Sequence, residues 1–166
     1  MRLVLALLLL LVHDALLAET ISGRVVRVTD GDTIVVLDAN DVQHKIRLQG
    51  IDAPERGQAY GAKSKAHLSA AVAGKFVVVE YDKRDRYERI VCKVLLSNED
   101  MNHEQIKAGF AWHYKKYQHE QSPNEREDYS DAEIEAREAK LGLWGDLEPS
   151  PPWEYRKAKR EKGSAQ

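Results

Sequence analysis

The sequence predicts an α+β, mainly β domain: a five-stranded Greek-key barrel of the OB type carrying three helices. Three observations lead there. Five short runs rich in β-branched residues are separated by turn residues. An alanine-rich helical segment follows the third run and two more helical segments follow the fifth, giving the order β-β-β-α-β-β-α-α of a small barrel. The 166 residues are 43% hydrophobic and 31% charged, which suits one sizeable core with tails.

The first 18 residues stand outside that domain. Arg2 is a minimal positive start, Leu3 to Val12 is unbroken apolar sequence, and Ala15 to Ala18 ends on a small residue. This reads as a signal peptide cleaved near Ala18. The run is shorter than the ~20 residues that a membrane span requires. Export to the periplasm or beyond, with no stable membrane association after cleavage, is therefore expected.

The first strand is predicted over Ile21–Val28, the second over Thr33–Leu37 and the third over Val42–Leu48. Asp30-Gly31 is a tight turn or bulge using the permissive glycine backbone, and Asp38-Ala39-Asn40-Asp41 is a second turn. Ala59–Ala73 is predicted helical, with Ala62, Ala66 and Ala70 on one stripe and Gly74 just past its end. Lys75–Tyr81 and Ile90–Leu96 are the fourth and fifth strands, joined by the charged run Asp82–Arg89. Asn102-His-Glu-Gln105 resembles a capping box for a short helix ended by Gly109. Ser122-Pro-Asn-Glu125 caps a third helix, whose apolar positions are Tyr129, Ala132, Ala136, Ala139 and Leu143. Residues 21–145 thus form the domain, and 146–166 a basic, proline-containing tail expected to pack loosely.

Charge excludes a globally basic nucleic-acid binder. The formal net charge is −2, and it stays there without residues 1–18, which hold one arginine and one aspartate. Any grip on phosphate must be local. Cys92 is the single cysteine, so no intrachain disulfide forms, and its alternation with Ile90 and Val94 marks a core thiol.

Two stretches carry chemistry: Asp30-Gly31-Asp32-Thr33 and Arg47-Leu-Gln-Gly-Ile-Asp-Ala-Pro-Glu55. Asp32 and Asp52 lie at strand margins, where carboxylates distant in sequence can converge. Their hard oxygens suit Ca2+ or Mg2+ rather than Zn2+, and a carbonyl such as that of Ala53 could add a ligand. Arg47 can hold two phosphate oxygens, and Glu55, aimed by Pro54, can act as a general base. These parts suffice for metal-assisted phosphodiester hydrolysis. Arg84, Arg86 and Arg89 flank Tyr87 in a phosphate-binding type of loop, and Tyr114 and Tyr117 with Lys115 and Lys116 form a second basic-aromatic patch. Taken singly, each feature is also what an ordinary turn, strand or solvated loop would carry.

Asp30-Gly-Asp-Thr33, Arg47 to Glu55, Asp85-Arg-Tyr-Glu-Arg89 and Gly142-Leu-Trp144, in that order, resemble the staphylococcal nuclease family over residues 21–145. The resemblance implies an OB barrel with Ca2+ held by Asp32, Asp52 and the Ala53 carbonyl. It implies Arg47 and Arg89 on the scissile phosphate, Glu55 as general base, and Arg86, Tyr87 and Tyr117 on the phosphates and nucleotide. It implies a nuclease that cuts DNA and/or RNA to products with 3′-phosphates, acting as a monomer. A catalytically inactive nucleic-acid-binding OB module is the competing reading, disfavoured because Asp32, Arg47, Asp52, Glu55 and Arg89 are all present. The chain departs from the family pattern at three places. Ala53 replaces a threonine of the best-known member. Glu88 stands where glycine is usual, and its charge is expected to weaken or tilt Arg89. Lys115 replaces a base-stacking tyrosine, leaving that part to Tyr114.

Overall fold

The computed structural model describes residues 19–164, so the expected signal segment lies outside the described residues. Strand β1 (Glu19–Asp30) is long enough to serve two neighbours. Its first half pairs antiparallel with β5 (Phe76–Arg84), and from Gly23 onward it pairs antiparallel with β2 (Thr33–Asp38). Register shifts between Val25 and Arg27 and between Val28 and Asp30 bend it, as bulges do. β2 forms a hairpin with β3 (Gln43–Leu48) through the predicted Asp38–Asp41 turn, and β5 a hairpin with β6 (Ile90–Leu96). The sheet then closes: Ile46–Leu48 of β3 run parallel to Ile90–Cys92 of β6. The five strands make the predicted barrel in the order β3-β2-β1-β5-β6.

Alternation along the strands fills it. Ile34, Val36, Ile46, Val79, Ile90, Cys92 and Val94 are wholly buried, as period-two patterning requires. Burial pushes the Cys92 thiol far above its ordinary value, so it is an inert core residue.

Three two-residue strands escaped the sequence reading because they are too short to carry a pattern. β4 (Ile51–Asp52) pairs with β8 (Trp112–His113), and β7 (Glu99–Asp100) folds back on β6. Helix α1 (Gly61–Val72) ends at Gly74, whose φ of 74° is the expected left-handed turn. Its buried face, however, is Gly61, Ser64, Leu68 and Val72, while Ala62, Ala66 and Ala70 face solvent. Ser64 can be buried because its hydroxyl donates to the Phe110 carbonyl at 2.7 Å. Helix α2 (Met101–Lys107) is capped by Asp100, which accepts from the Asn102 and His103 amides, not by Asn102. Helix α3 (Pro123–Glu138) has the predicted Ser122/Glu125 capping box, but it stops before Leu143, which lies in a following 3₁₀ turn (Gly142–Gly145).

The tail is the main departure from expectation. Residues Pro152–Ser164 form a further helix, α4. It is seated on a small second core of Trp112, Ala136, Leu143 and Trp144, against which Trp153 packs. Among the described residues no helix is long and apolar enough to cross a membrane.

Candidate active site

The β2–β3 ladder sets Thr33 opposite Arg47, and the Leu48 amide donates to the Asp32 carbonyl at 2.9 Å. Arg47 therefore stands beside Asp32. The Gly50 turn and the β4–β8 pairing return the chain so that Asp52 faces the same guanidinium. Arg47 Nη1 pairs with Asp32 Oδ1, and Nη2 donates to Asp52 Oδ1 at 2.9 Å and to the Ile51 carbonyl at 3.2 Å. Asp32 also accepts from the Thr33 hydroxyl at 3.0 Å and from the Ala53 amide at 2.9 Å. Asp32 is 4% exposed and Asp52 0%, so both carboxylates depend on partners inside the protein. Burial pulls the Arg47 guanidinium below its ordinary value and the charge of Asp52 opposes that, yet an arginine remains a cation.

Two amide side chains hold this frame in place. Gln105 of α2 donates to the Gly31 carbonyl at 2.8 Å and to the Ser64 carbonyl at 3.3 Å, tying the Asp30–Thr33 turn to α1. Asn102 is wholly buried. It donates to the Gln49 and Cys92 carbonyls and accepts from the Val94 amide, which fixes the loop between Arg47 and Asp52. Gly31 is required by space rather than by turn geometry. Its φ is not in the left-handed region, but a Cβ there would lie 1.8 Å from Ser64 Oγ and 2.8 Å from Ala53 Cβ.

Arg89, at the start of β6, is near enough to Arg47 for its charge to act against that guanidinium. Asp85 grips it: Nε donates at 2.7 Å and Nη2 pairs at 2.6 Å with the same carboxylate oxygen. These contacts, with hydrogen bonds from the Tyr87 and Arg89 amides, hold the Asp85 carboxyl below its usual range against the effect of burial. The Glu88 side chain, expected to weaken or tilt Arg89, is exposed, and Arg89 pairs with Asp85. Glu88 has φ of 59°, in the left-handed region that favours glycine.

Of the proposed substrate-contacting residues, Tyr114 lies beside the carboxylates. Burial and the charge of Asp52 raise its phenol, while Arg156 works the other way. Tyr117 meets Tyr114 edge-on at 5.1 Å and is 41% exposed. Arg86 and Tyr87 form their own exposed pair at the tip of the β5–β6 turn, with the Arg86 guanidinium 4.8 Å over the Tyr87 ring. They join the site only through Arg89, which lies 5.4 Å from the same ring.

Glu55 is brought in by a residue that sequence reasoning missed. Arg156 of α4 donates from Nη1 to Asp52 Oδ1 at 3.0 Å and to Glu55 Oε1 at 2.7 Å, and from Nη2 to Asp52 Oδ2 at 2.7 Å. Trp153, one turn earlier, stacks on Tyr114 at 5.5 Å with ring planes 14° apart, and meets Trp112 edge-on. Gln58 links the two segments, accepting from the Glu55 amide and donating to the Ser150 carbonyl at 2.7 Å. A signal was present in Pro152, since a proline at the first helical position, as at Pro123, marks a helix start. Trp153 and Arg156 at spacing three then share a face.

The donor chemistry fits a hard cation. Asp32 and Asp52 present Oδ1 atoms to one guanidinium, so a positive charge between them is already accommodated. Among the described residues no three His, Cys, Asp or Glu side chains are clustered to hold a metal ion. A divalent ion would therefore draw on two carboxylates, a carbonyl such as that of Ala53, water and substrate oxygens. A separate groove of about 520 Å³ is lined by Lys93, Asp100, His103, Glu125 and Asp128. Lys93 pairs there with Asp100 and Glu125, and the lining as a whole is acidic, which does not suit a phosphate backbone.

A family model described as staphylococcal nuclease homologue matches residues 45–146. A protein of Escherichia coli named an uncharacterized endonuclease is 42% identical over 160 residues, covering 96% of this chain and all of that protein. The micrococcal nuclease of Shigella flexneri is 35% identical over 147 residues, covering 83% of this chain and 82% of that one. A staphylococcal-like nuclease, CAN1, of Arabidopsis thaliana is 37% identical over 116 residues, 70% of this chain and 34% of that longer protein.

Proposed function

The chain belongs to the staphylococcal nuclease family and is a nuclease, and we propose that it uses Ca2+ to hydrolyse DNA and/or RNA to products with 3′-phosphates. The observation that carries this is the convergence of Asp32, Asp52 and Glu55, drawn from two separate stretches, on the guanidinium groups of Arg47 and Arg156. Bound by Asp32, Asp52 and the Ala53 carbonyl, Ca2+ would supply positive charge to a non-bridging phosphate oxygen.

The chain's own groups supply the rest. Arg47 lies between the carboxylates and can turn donors toward phosphate oxygens, stabilising charge that develops in the transition state. Asp85 holds Arg89 through Nε and Nη2, which supports a reading in which Nη1 donates to the phosphate. Glu55 receives the proton of the attacking water, a role worth roughly 10²–10⁴-fold. Tyr87, Tyr114 and Tyr117 offer ring faces to bases, each stack being worth about 1–3 kcal/mol, and Arg86 adds a phosphate contact. The enzyme acts as an exported monomer, periplasmic or secreted, as the N-terminal sequence suggests.

Digestion of plasmid and of RNA with Ca2+ or with a chelator, run beside Glu55→Gln, tests this reading. Cleavage that needs Ca2+, leaves 3′-phosphates and falls at least about 100-fold in the variant is expected. Equal cleavage in chelator removes the metal assignment, and near-wild-type cleavage by Glu55→Gln removes the base.

A further inference from the structure

Arg156 reaches the site from outside the barrel and takes three hydrogen bonds on the carboxylates that the nuclease reading assigns to ion and base. Every carboxylate oxygen of Asp32 and Asp52 accepts from within the chain: Arg47 and the Ala53 amide on Asp32, Arg47 and Arg156 on Asp52. Arg47 and the Ala53 amide belong to the barrel wall. Arg156 is carried on a helix that can leave, since Pro152 is the only buried residue of α4 among those described. Its other anchorage is aromatic, through Trp153 on Tyr114 and Trp112.

Charge points the same way. Asp32, Asp52 and Glu55 carry three negative charges against two guanidinium groups. A divalent ion added beside both arginines would overcompensate them. With the ion in place of Arg156, its two positive charges and the one on Arg47 balance the three negative ones. The ion and the Arg156 guanidinium also need the same Asp52 oxygens, so they compete in space as well as in charge.

We propose that α4 is a built-in competitor for the metal site: Arg156 sits on Asp52 and Glu55 as a cationic plug, and Ca2+ binding expels it, freeing Glu55 and releasing the helix. This rests on Asp32 and Asp52 being the ion's ligands. Once released, α4 loses its docking partners, and an isolated helix of this length is marginal in water. Its exposed Lys157, Lys159, Arg160 and Lys162 then become available beside the site.

The test is calorimetric titration of the full chain with CaCl2 alone, without substrate, for the wild type, Arg156→Ala, Trp153→Ala and Asp52→Asn. Hydrogen exchange of residues 152–164 is measured in parallel. Arg156→Ala is expected to bind Ca2+ about tenfold more tightly, as removal of one charged competitor would allow. Trp153→Ala should shift affinity in the same direction, and Asp52→Asn should abolish binding. In the wild type, Ca2+ should accelerate exchange across α4. If the wild type binds Ca2+ through Asp52, while Arg156→Ala leaves affinity unchanged or weaker, the plug is overturned and the nuclease reading stands. Unchanged α4 exchange on Ca2+ saturation overturns it equally. If neither wild type nor Arg156→Ala binds Ca2+, the metal assignment itself falls and the plug with it.

Discussion

Arg47→Met keeps most of the side-chain volume and removes the charge that separates two buried carboxylates. Asp52 is fully buried and Asp32 nearly so, and Arg47 bonds to both. After the change, Asp32 keeps only the Thr33 hydroxyl and the Ala53 amide, and Asp52 keeps only Arg156. Leaving a buried charge without its partner costs about 3–5 kcal/mol. For a chain of this size that corresponds to a melting temperature lower by roughly 6–20 °C, at ~2–4 °C per kcal/mol. Urea unfolding in chelator measures it, with Asp32→Asn and the double variant completing a mutant cycle. Removing the Asp32 charge should recover part of the loss, so the double variant should be more stable than the sum of the two single effects predicts. A loss below about 1 kcal/mol, or a cycle that adds within ~0.5 kcal/mol, would refute the argument that Arg47 holds these carboxylates in the fold.

Gly31→Ala should cost about 1–3 kcal/mol by overpacking, because the new methyl meets Ser64 and Ala53; an unchanged urea midpoint would contradict the close approach. Glu88→Gly should raise stability by up to about 1 kcal/mol, left-handed strain outweighing the entropy of glycine, and a loss measured by thermal unfolding would count against it. His113 donates through Nε2 to Gln121 at 2.9 Å while its Nδ1 has no partner, and burial, ahead of the nearby Lys115 charge, pulls its ring below the ordinary histidine value. The unfolded chain therefore takes up this proton first. The associated stability is full above about pH 6.5 and falls as pH drops toward the lowered folded value. Wild type should lose more stability than His113→Gln between pH 7.5 and 5, and equal slopes would show that the ring is not held neutral.

The strands were legible because period-two burial repeats within each run. Ile90, Cys92 and Val94 show it most clearly, and their strand has the predicted bounds, while β1 and β5 run further than predicted. The Ser122 capping box was equally legible, being a local exchange of hydrogen bonds. Helix α1 and its Gly74 end were legible, but its buried face was not, because alanine packs or faces water with little penalty and its stripe carried no direction. The decisive residue was Ser64, whose burial depends on a carbonyl 46 positions away. The α2 cap was misplaced by two positions, at Asn102 instead of Asp100, for a related reason. Asn102 looks like a capping side chain but is used by three backbone groups of the barrel.

The site divides along the same line. Local sequence alone determined which residue types were available: carboxylates at strand margins, an arginine in a strand, a glutamate after proline. Tertiary structure decided that Asp32 and Asp52 meet on Arg47, since that depends on the β2–β3 register, which sets Thr33 opposite Arg47, and on the long-range β4–β8 pairing. The Arg89–Asp85 pair is local, four residues apart, but tertiary structure also decided that the tail is a helix reaching Asp52 across 104 residues of chain. No local pattern encodes such a contact. A basic tail in sequence has charge but no direction, and Trp153 supplies the direction only once Tyr114 and Trp112 stand ready to receive it.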